Sequence, residues 1–203
     1  MMTWEVLSII GTVAFAISGA IVAMEEEYDI LGVYILGIVT AFGGGAVRNV
    51  LIGVPVSVLW QQQTLFFIAF IAMTIVYLFP HKMLPHWQRW GNFFDALGLS
   101  AFAIQGALYA VQINRPLSAV IVAAVLTGSG GGMIRDVLAG RKPLVLRDEI
   151  YAVWAILAGV AVGTGIAHSP ISLYVLFIVV ATLRILSYTY NWKLPNKSLK
   201  TDN

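Results

Sequence analysis

The chain has 203 residues, 59% hydrophobic and 11% charged, with a mean hydropathy of +0.85 and a formal net charge of +2. Soluble domains carry about 25% charged residues, so a water-exposed globular domain is excluded, and so is a basic nucleic-acid surface. The absence of cysteine excludes disulfides and thiolate metal sites, and His81, His86 and His168 sit in loops without metal-ligand spacing.

A membrane-spanning helix needs about 20 mostly apolar residues, and the sequence predicts seven. The first covers Trp4–Met24. No Lys or Arg precedes Arg48, so the basic start of a secretory signal is missing and this helix is expected to be retained. The second, Ile30–Ile52, carries Thr40, the triplet Gly43-Gly44-Gly45, then Arg48 and Asn49. The third runs over Thr64–Phe79 and stops at Pro80. The fourth, Asn92–Val111, begins with Asp95. The fifth, Pro116–Ala139, carries Thr127, Ser129, the triplet Gly130-Gly131-Gly132, then Arg135 and Asp136. The sixth is Glu149–Ala167, where Ala155, Gly159 and Gly163 form a small-residue stripe suited to helix contact. The seventh is Ile171–Tyr190, with Arg184 read as snorkelling to the cytoplasmic headgroups. Residues 1–190 form a single transmembrane domain, and 191–203 a polar cytoplasmic tail. Trp60, Trp87, Trp90, Trp154 and Trp192 fall near span ends, as an aromatic belt requires.

Odd-numbered helices exit on one side, which receives Lys82, Arg89, Arg141, Lys142, Arg147, Lys193, Lys197 and Lys200; the opposite loops hold only Arg115. The positive-inside rule puts the C-terminus in the cytoplasm and the N-terminus outside. Membrane lipids are the expected surroundings.

The chain repeats itself at an offset of 87. Ala14-Phe15-Ala16-Ile17-Ser18-Gly19-Ala20 returns as Ala101-Phe102-Ala103-Ile104-Gln105-Gly106-Ala107, and the ungapped pairing of 11–53 with 98–140 holds 17 identities in 43 positions. Repeat one covers about 4–80, repeat two about 92–167, and the seventh helix, about 171–190, lies outside them. Three helices per repeat is odd, so successive repeats enter the membrane in opposite senses. The fold class is therefore an all-α membrane protein of seven helices, two inverted three-helix repeats plus one (3+3+1).

Three glycines in a row weaken a helix, each by about 1 kcal/mol relative to alanine. At membrane depth the two triplets predict kinks beside a polar path, with close helix packing as the other reading. Arg48 and Arg135 follow one turn later. A buried membrane charge costs about 2.5–3.5 kcal/mol, so both should face the bundle interior and find partners, with snorkelling to the headgroups as the other reading. Asp95 and Asp136 are candidate partners for Arg135, whereas the equivalents on the Arg48 side are Ser8 and Asn49. Thr40, Thr127, Ser129, Ser18, Gln105 and Ser100 are the other polar groups within spans, and serve either a path or interhelical hydrogen bonds. No nucleophile–base pair or phosphate loop is present, so no enzyme and no cofactor is expected.

The motifs AFAISGA and FDALGLSAFAIQGA, followed by GGGAVRNVLIG and GGGMIRDVLAGRKP, resemble the trimeric intracellular cation (TRIC) channel family, in its prokaryotic branch, over residues 5–190. The resemblance implies a homotrimer with an ion path in each protomer, helices two and five kinked at the triplets, and passive conduction of K+ and Na+. It implies path roles for Gly43, Gly44, Gly45, Arg48, Gly130, Gly131, Gly132, Arg135 and Asp136, in a bacterial or archaeal plasma (inner) membrane; Thr40, Asn49, Thr127 and Ser129 are path candidates by their place beside the triplets, and Asp95–Arg135 is a candidate buried pair by the approach of helices four and five to one face. The chain departs from the family pattern at Ser8, where the first half often carries an acid. The alternative is a secondary transporter of a small zwitterion such as glycine, whose carboxylate an arginine would hold.

Overall fold

The structure is a computed structural model that describes residues 2–79, 87–146 and 150–195. Lys82, His81, His86, Arg147, Lys197 and Lys200 lie outside the described residues, as does the side chain of Trp87. Among the described residues there are seven α-helices: α1 (Met2–Glu25), α2 (Ile30–Ile52), α3 (Gln63–Leu78), α4 (Trp87–Gln112), α5 (Leu117–Leu138), α6 (Ala152–Gly163) and α7 (Pro170–Thr189). Short 3-10 helices at Val56–Gln61 and Leu144–Leu146 lead into α3 and towards α6.

Helices α1, α2, α4 and α5 form the centre, with α3 laid on α1, α6 on α4 and α5, and α7 on α4. Five helices are long and apolar enough to cross a membrane, while α3 and α6 are shorter apolar helices. At 1.5 Å per residue, the 12 residues of α6 reach only about 18 Å. This corrects the expected span of Glu149–Ala167. The chain leaves the helix after Gly163 because Gly165 takes a left-handed conformation (φ 79°). The residues that follow the helix, Thr164, Gly165 and Ile166, are exposed. Apolar side chains that remain exposed, such as Leu31, Val50, Phe67, Ile71, Ile75, Ile178 and Val179, lie on α2, α3 and α7 and suit lipid.

The repeat is written into the contacts. A Cβ built on Gly11 would meet the Phe102 ring at 2.6 Å, and one on Gly98 would overlap the Phe15 ring. Positions 11 and 98, and 15 and 102, are repeat mates. The two rings meet edge to face with centroids 5.3 Å apart. Contacts that exchange i with j in this reciprocal way are those of a two-fold axis. The helix ends obey the same pairing. Glu27 (φ 57°) and Asn114 (φ 56°) end α1 and α4, and Gly53 (φ 76°) and Gly140 (φ 68°) end α2 and α5. Each end is closed by an N–H five residues on, as in Tyr28 to the Ala23 carbonyl at 2.9 Å and Arg115 to that of Ala110 at 3.0 Å.

Residues 28 and 115 are also repeat mates, and each reaches across to the other repeat. Arg115 donates to the Ile52 carbonyl at 2.7 Å, and the Tyr28 hydroxyl to the Leu138 carbonyl at 2.9 Å. The C-termini of α1 and α5 are further clamped by Arg141, which donates to Glu25 at 2.7 Å and Glu26 at 2.5 Å. Partial burial works against the Arg141 charge, but these two carboxylates outweigh it and hold its pKa above the ordinary value.

Candidate functional site

The glycine triplets sit where α2 crosses α5. A Cβ on Gly44 would lie 2.8 Å from the Thr127 carbonyl oxygen, 2.9 Å from that of Leu126 and 2.9 Å from the Gly131 nitrogen. A Cβ on Gly131 would overlap the Thr40 carbonyl, and one on Gly130 would stand 3.0 Å from the Gly44 Cα. The middle glycines therefore bring backbone onto backbone across the pseudo-two-fold. Both helices remain α-helical through their triplets. The weakened ladder expected from three consecutive glycines is not seen, because the missing side chains are used for approach rather than for a break. Gly43 packs on Ile134. The third glycines differ from the rest. Gly45 faces the Arg48 guanidinium and Gly132 that of Arg135, at 3.8 and 3.6 Å from the built Cβ.

On one side of this crossing lies a buried ionic cluster. Arg135, 3% exposed, donates from Nη1 to Asp95 Oδ1 at 2.8 Å and to the Ser18 hydroxyl at 2.6 Å, and from Nε to Asp136 Oδ1 at 2.9 Å. The second oxygen of Asp136 accepts the Leu144 backbone N–H at 3.0 Å, which ties the loop after α5 to the cluster. Tyr151, at the entry to α6, is buried; its hydroxyl and Asp95 Oδ1 both stand close to Gly132, at 3.2 and 3.3 Å from the built Cβ.

The Arg184 guanidinium lies over the Tyr151 ring, 4.5 Å from its centroid. Arg184 is 1% exposed, which overturns its reading as a headgroup snorkeller. It shares one face of α7 with Val180, Ala181 and Ser187, and that face packs inward. The spacing Ala181, Arg184, Ser187 is the signal that could have revealed it. Tyr151 carried no comparable signal, being an isolated aromatic residue near a span end. The cluster thus draws on α1, α4, α5, α7 and the start of α6, with two arginines balanced by two aspartates.

The repeat-related end is built differently. Arg48, 4% exposed, donates from Nε and Nη2 to Asn49 Oδ1 at 3.1 and 2.8 Å, and lies 4.6 Å from the Tyr109 ring centroid. Among the described residues no carboxylate pairs with it. Ser8, in the place of Asp95, accepts instead from Gln105 at 2.5 Å. Beside Arg48 is a narrow cavity of about 20 Å³, roughly the space for one water, lined by Thr12, Gln62, Gln105 and Thr127 together with Gly45 and Phe102. The Thr12 hydroxyl oxygen is buried and unpartnered.

The remaining hydroxyls are committed to their own helices. Thr40, Thr127, Ser129 and Ser100 donate to carbonyls one turn back at 2.6–2.7 Å. Their oxygens keep free lone pairs as acceptors, but of these four only Thr127 lines the cavity. Thr40 and Thr127 occupy space vacated by Gly19 and Gly106, each in its own repeat. Of the tryptophans expected at span ends, Trp60, Trp90 and Trp192 are exposed, whereas Trp154 is half-buried and donates to the Ser187 hydroxyl at 3.0 Å. The α6 stripe packs within the chain, with Gly159 against Ala124 and Ile121, and Gly163 against Leu117 and Val120.

A sequence model of the family described as Glycine transporter matches residues 5–81 and again 92–167. The membrane protein YvgT of Bacillus subtilis, of the group designated UPF0126, is 69% identical over the whole of both chains. The solved structure of a prokaryotic TRIC channel crystallised in 0.5 M KCl is 35% identical, superposes with a TM-score of 0.87, and covers 95% of this chain and 99% of its own. The chain belongs to the prokaryotic TRIC family. A further TRIC structure, the orthologue from Rhodobacter sphaeroides, is 29% identical with a TM-score of 0.86, over 94% of this chain and 100% of its own. This TRIC member is thus a multi-pass, all-helical membrane protein with the 3+3+1 arrangement.

Proposed function

We propose that this protein is a passive channel for monovalent cations, K+ and Na+, with one path in each protomer of a homotrimer. The carrying observation is the glycine crossing. Three carbonyl oxygens, those of Thr40, Leu126 and Thr127, converge on Gly44 and Gly131, with buried polar side chains on either side of the crossing: Arg135 with Asp95 and Asp136, and Arg48 with its small cavity. Carbonyl oxygens replace the hydration shell of an alkali cation, and each retains a lone pair while bonded within its helix. The crossing is the constriction. Ions pass when α2 and α5 move apart at the triplets, where glycine leaves the backbone the most freedom to bend. Thr40, Gly43, Ser129, Gly130 and Asn49 border that movement, and Arg48, Arg135 and Asp136 hold the helices one turn beyond it.

The cytoplasmic end is the one with Asp95, Asp136 and Arg141, and the N-terminus faces outward across a bacterial plasma membrane. The excess of Lys and Arg on the loops of that side supports this orientation. Two TRIC channels of 29–35% identity support the cation reading. The test is single-channel recording of purified protein in planar bilayers under a KCl gradient. Discrete steps that reverse near the K+ equilibrium potential are expected. Saturable glycine uptake into vesicles, with no steps, would replace this reading by transport. The family description favours that second reading, and Arg48 without an acid is where a carboxylate would go. A space of about 20 Å³ beside Arg48 is too small for a zwitterion of five heavy atoms, since it holds about one water.

A further inference from the structure

We infer that Arg48, Thr12 and Gln105 form a binding site for one small inorganic anion of halide size, resident beside the outer end of the path. The chemistry begins with an imbalance. Arg135 shares its buried chamber with Asp95 and Asp136, whereas its repeat mate Arg48 is equally buried and, among the described residues, meets only the neutral oxygen of Asn49 and the ring of Tyr109. A buried cation stripped of its counter-charge is strongly destabilising, and in a bilayer no bulk water relieves it.

Three observations place the missing negative charge. The cavity opens against Arg48 itself. It is bordered by the Thr12 hydroxyl, 1% exposed and without a partner, which is an available donor. It is also bordered by Gln105, whose amide nitrogen uses one hydrogen on Ser8 and has a second to give. All three groups donate, and no acidic residue lines the space. The volume decides between occupants. Room for one water-sized centre accepts a halide and excludes a glycine molecule or a sugar acid. The site does not require that the path conduct. Where it does conduct, the fixed anion offsets the buried positive charge of Arg48 that cations would otherwise meet at that mouth.

The test uses the full chain, purified in detergent and exchanged into potassium gluconate, whose anion is too large for the cavity. Gluconate is then replaced by bromide at constant potassium and ionic strength, with thermal stability as the readout, and crystals grown in bromide are examined for anomalous scattering. Bromide should raise the melting temperature saturably, and an anomalous peak should lie between the Arg48 guanidinium and the Thr12 hydroxyl. Thr12→Val should raise the half-saturating bromide concentration roughly ten- to a hundredfold, because a hydrogen bond to a charged group is worth about 1.5–3 kcal/mol. Arg48→Gln should abolish both signals. Should that variant fail to fold, wild type and Thr12→Val decide alone. Formate added to bromide-soaked crystals separates the sources: loss of the peak assigns the site to carboxylates as well as halides, and its persistence assigns it to halides. A bromide-soaked crystal with surface bromides but no peak at Arg48 overturns the inference, as does an unchanged half-saturation in Thr12→Val.

Discussion

Gly44→Ala tests whether the triplets are contact surfaces. The new methyl would stand 2.8–2.9 Å from three backbone atoms of α5, the carbonyl oxygens of Leu126 and Thr127 and the nitrogen of Gly131. Ordinary van der Waals contact for a Cβ begins at 3.4 Å, so the helices must separate by roughly half an ångström at their closest point. Backbone cannot rotate away as a side chain would. Overpacking of this kind costs about 1–3 kcal/mol, and the rigid obstacle places Gly44 at the upper end. Alanine returns about 1 kcal/mol of helix propensity. The net loss is about 2 kcal/mol, or roughly 4–8 °C of melting temperature for a chain of this size. Gly45→Ala is the internal control: its methyl would find only Leu59 at 3.7 Å and Arg48 at 3.8 Å, so it keeps the propensity gain and should melt at or slightly above wild type. The assay is thermal unfolding of purified variants in detergent, followed by size-exclusion chromatography. A Gly44→Ala protein as stable as Gly45→Ala would refute the packing argument and return the triplets to a backbone-breaking role.

Arg135→Ala should cost about 3–5 kcal/mol, since it leaves Asp95 and Asp136 buried without their cation. Asp95→Ala should cost less, because Arg135 keeps Asp136; equal melting temperatures for the two would dismiss the shared-cation geometry. Arg184→Ala should destabilise by more than about 2 kcal/mol despite its distance from the triplets, through the loss of a buried side chain stacked on Tyr151; a shift under 1 °C would mean that Arg184 leaves the interior in the membrane. Arg141→Gln should change stability by less than about 1 kcal/mol, with the difference fading in high salt, as expected of a surface pair. A large, salt-insensitive loss would show instead that the clamp on Glu25 and Glu26 is desolvated.

Much of this molecule was legible in the chain. Hydropathy marks helices because a bilayer demands about 20 apolar residues per crossing, and α2 lies where that rule put it, at Ile30–Ile52. An exact offset with an odd helix count implies inversion by arithmetic alone. The motif GGGxxRx, written twice, marked the residues that the fold gathers around the crossing.

Tertiary structure decided the rest, because the deciding quantities are distances between segments far apart in sequence. Glycine spacing is the same whether a triplet breaks a helix or admits a neighbour; only the position of the Thr40 and Thr127 carbonyls distinguishes them. Arg184 sits in a run of apolar residues where the spacing of Ala181, Arg184 and Ser187 only hints at an inward face, and the packing of α7 on α4 selects burial. Tyr151 joined the cluster as the residue before α6, which starts at Ala152 and is shorter than hydropathy suggested. The repeat itself told that Arg48 and Arg135 were equivalent in fold; the side chains around them, acids at one end and neutral donors at the other, made them unlike in charge.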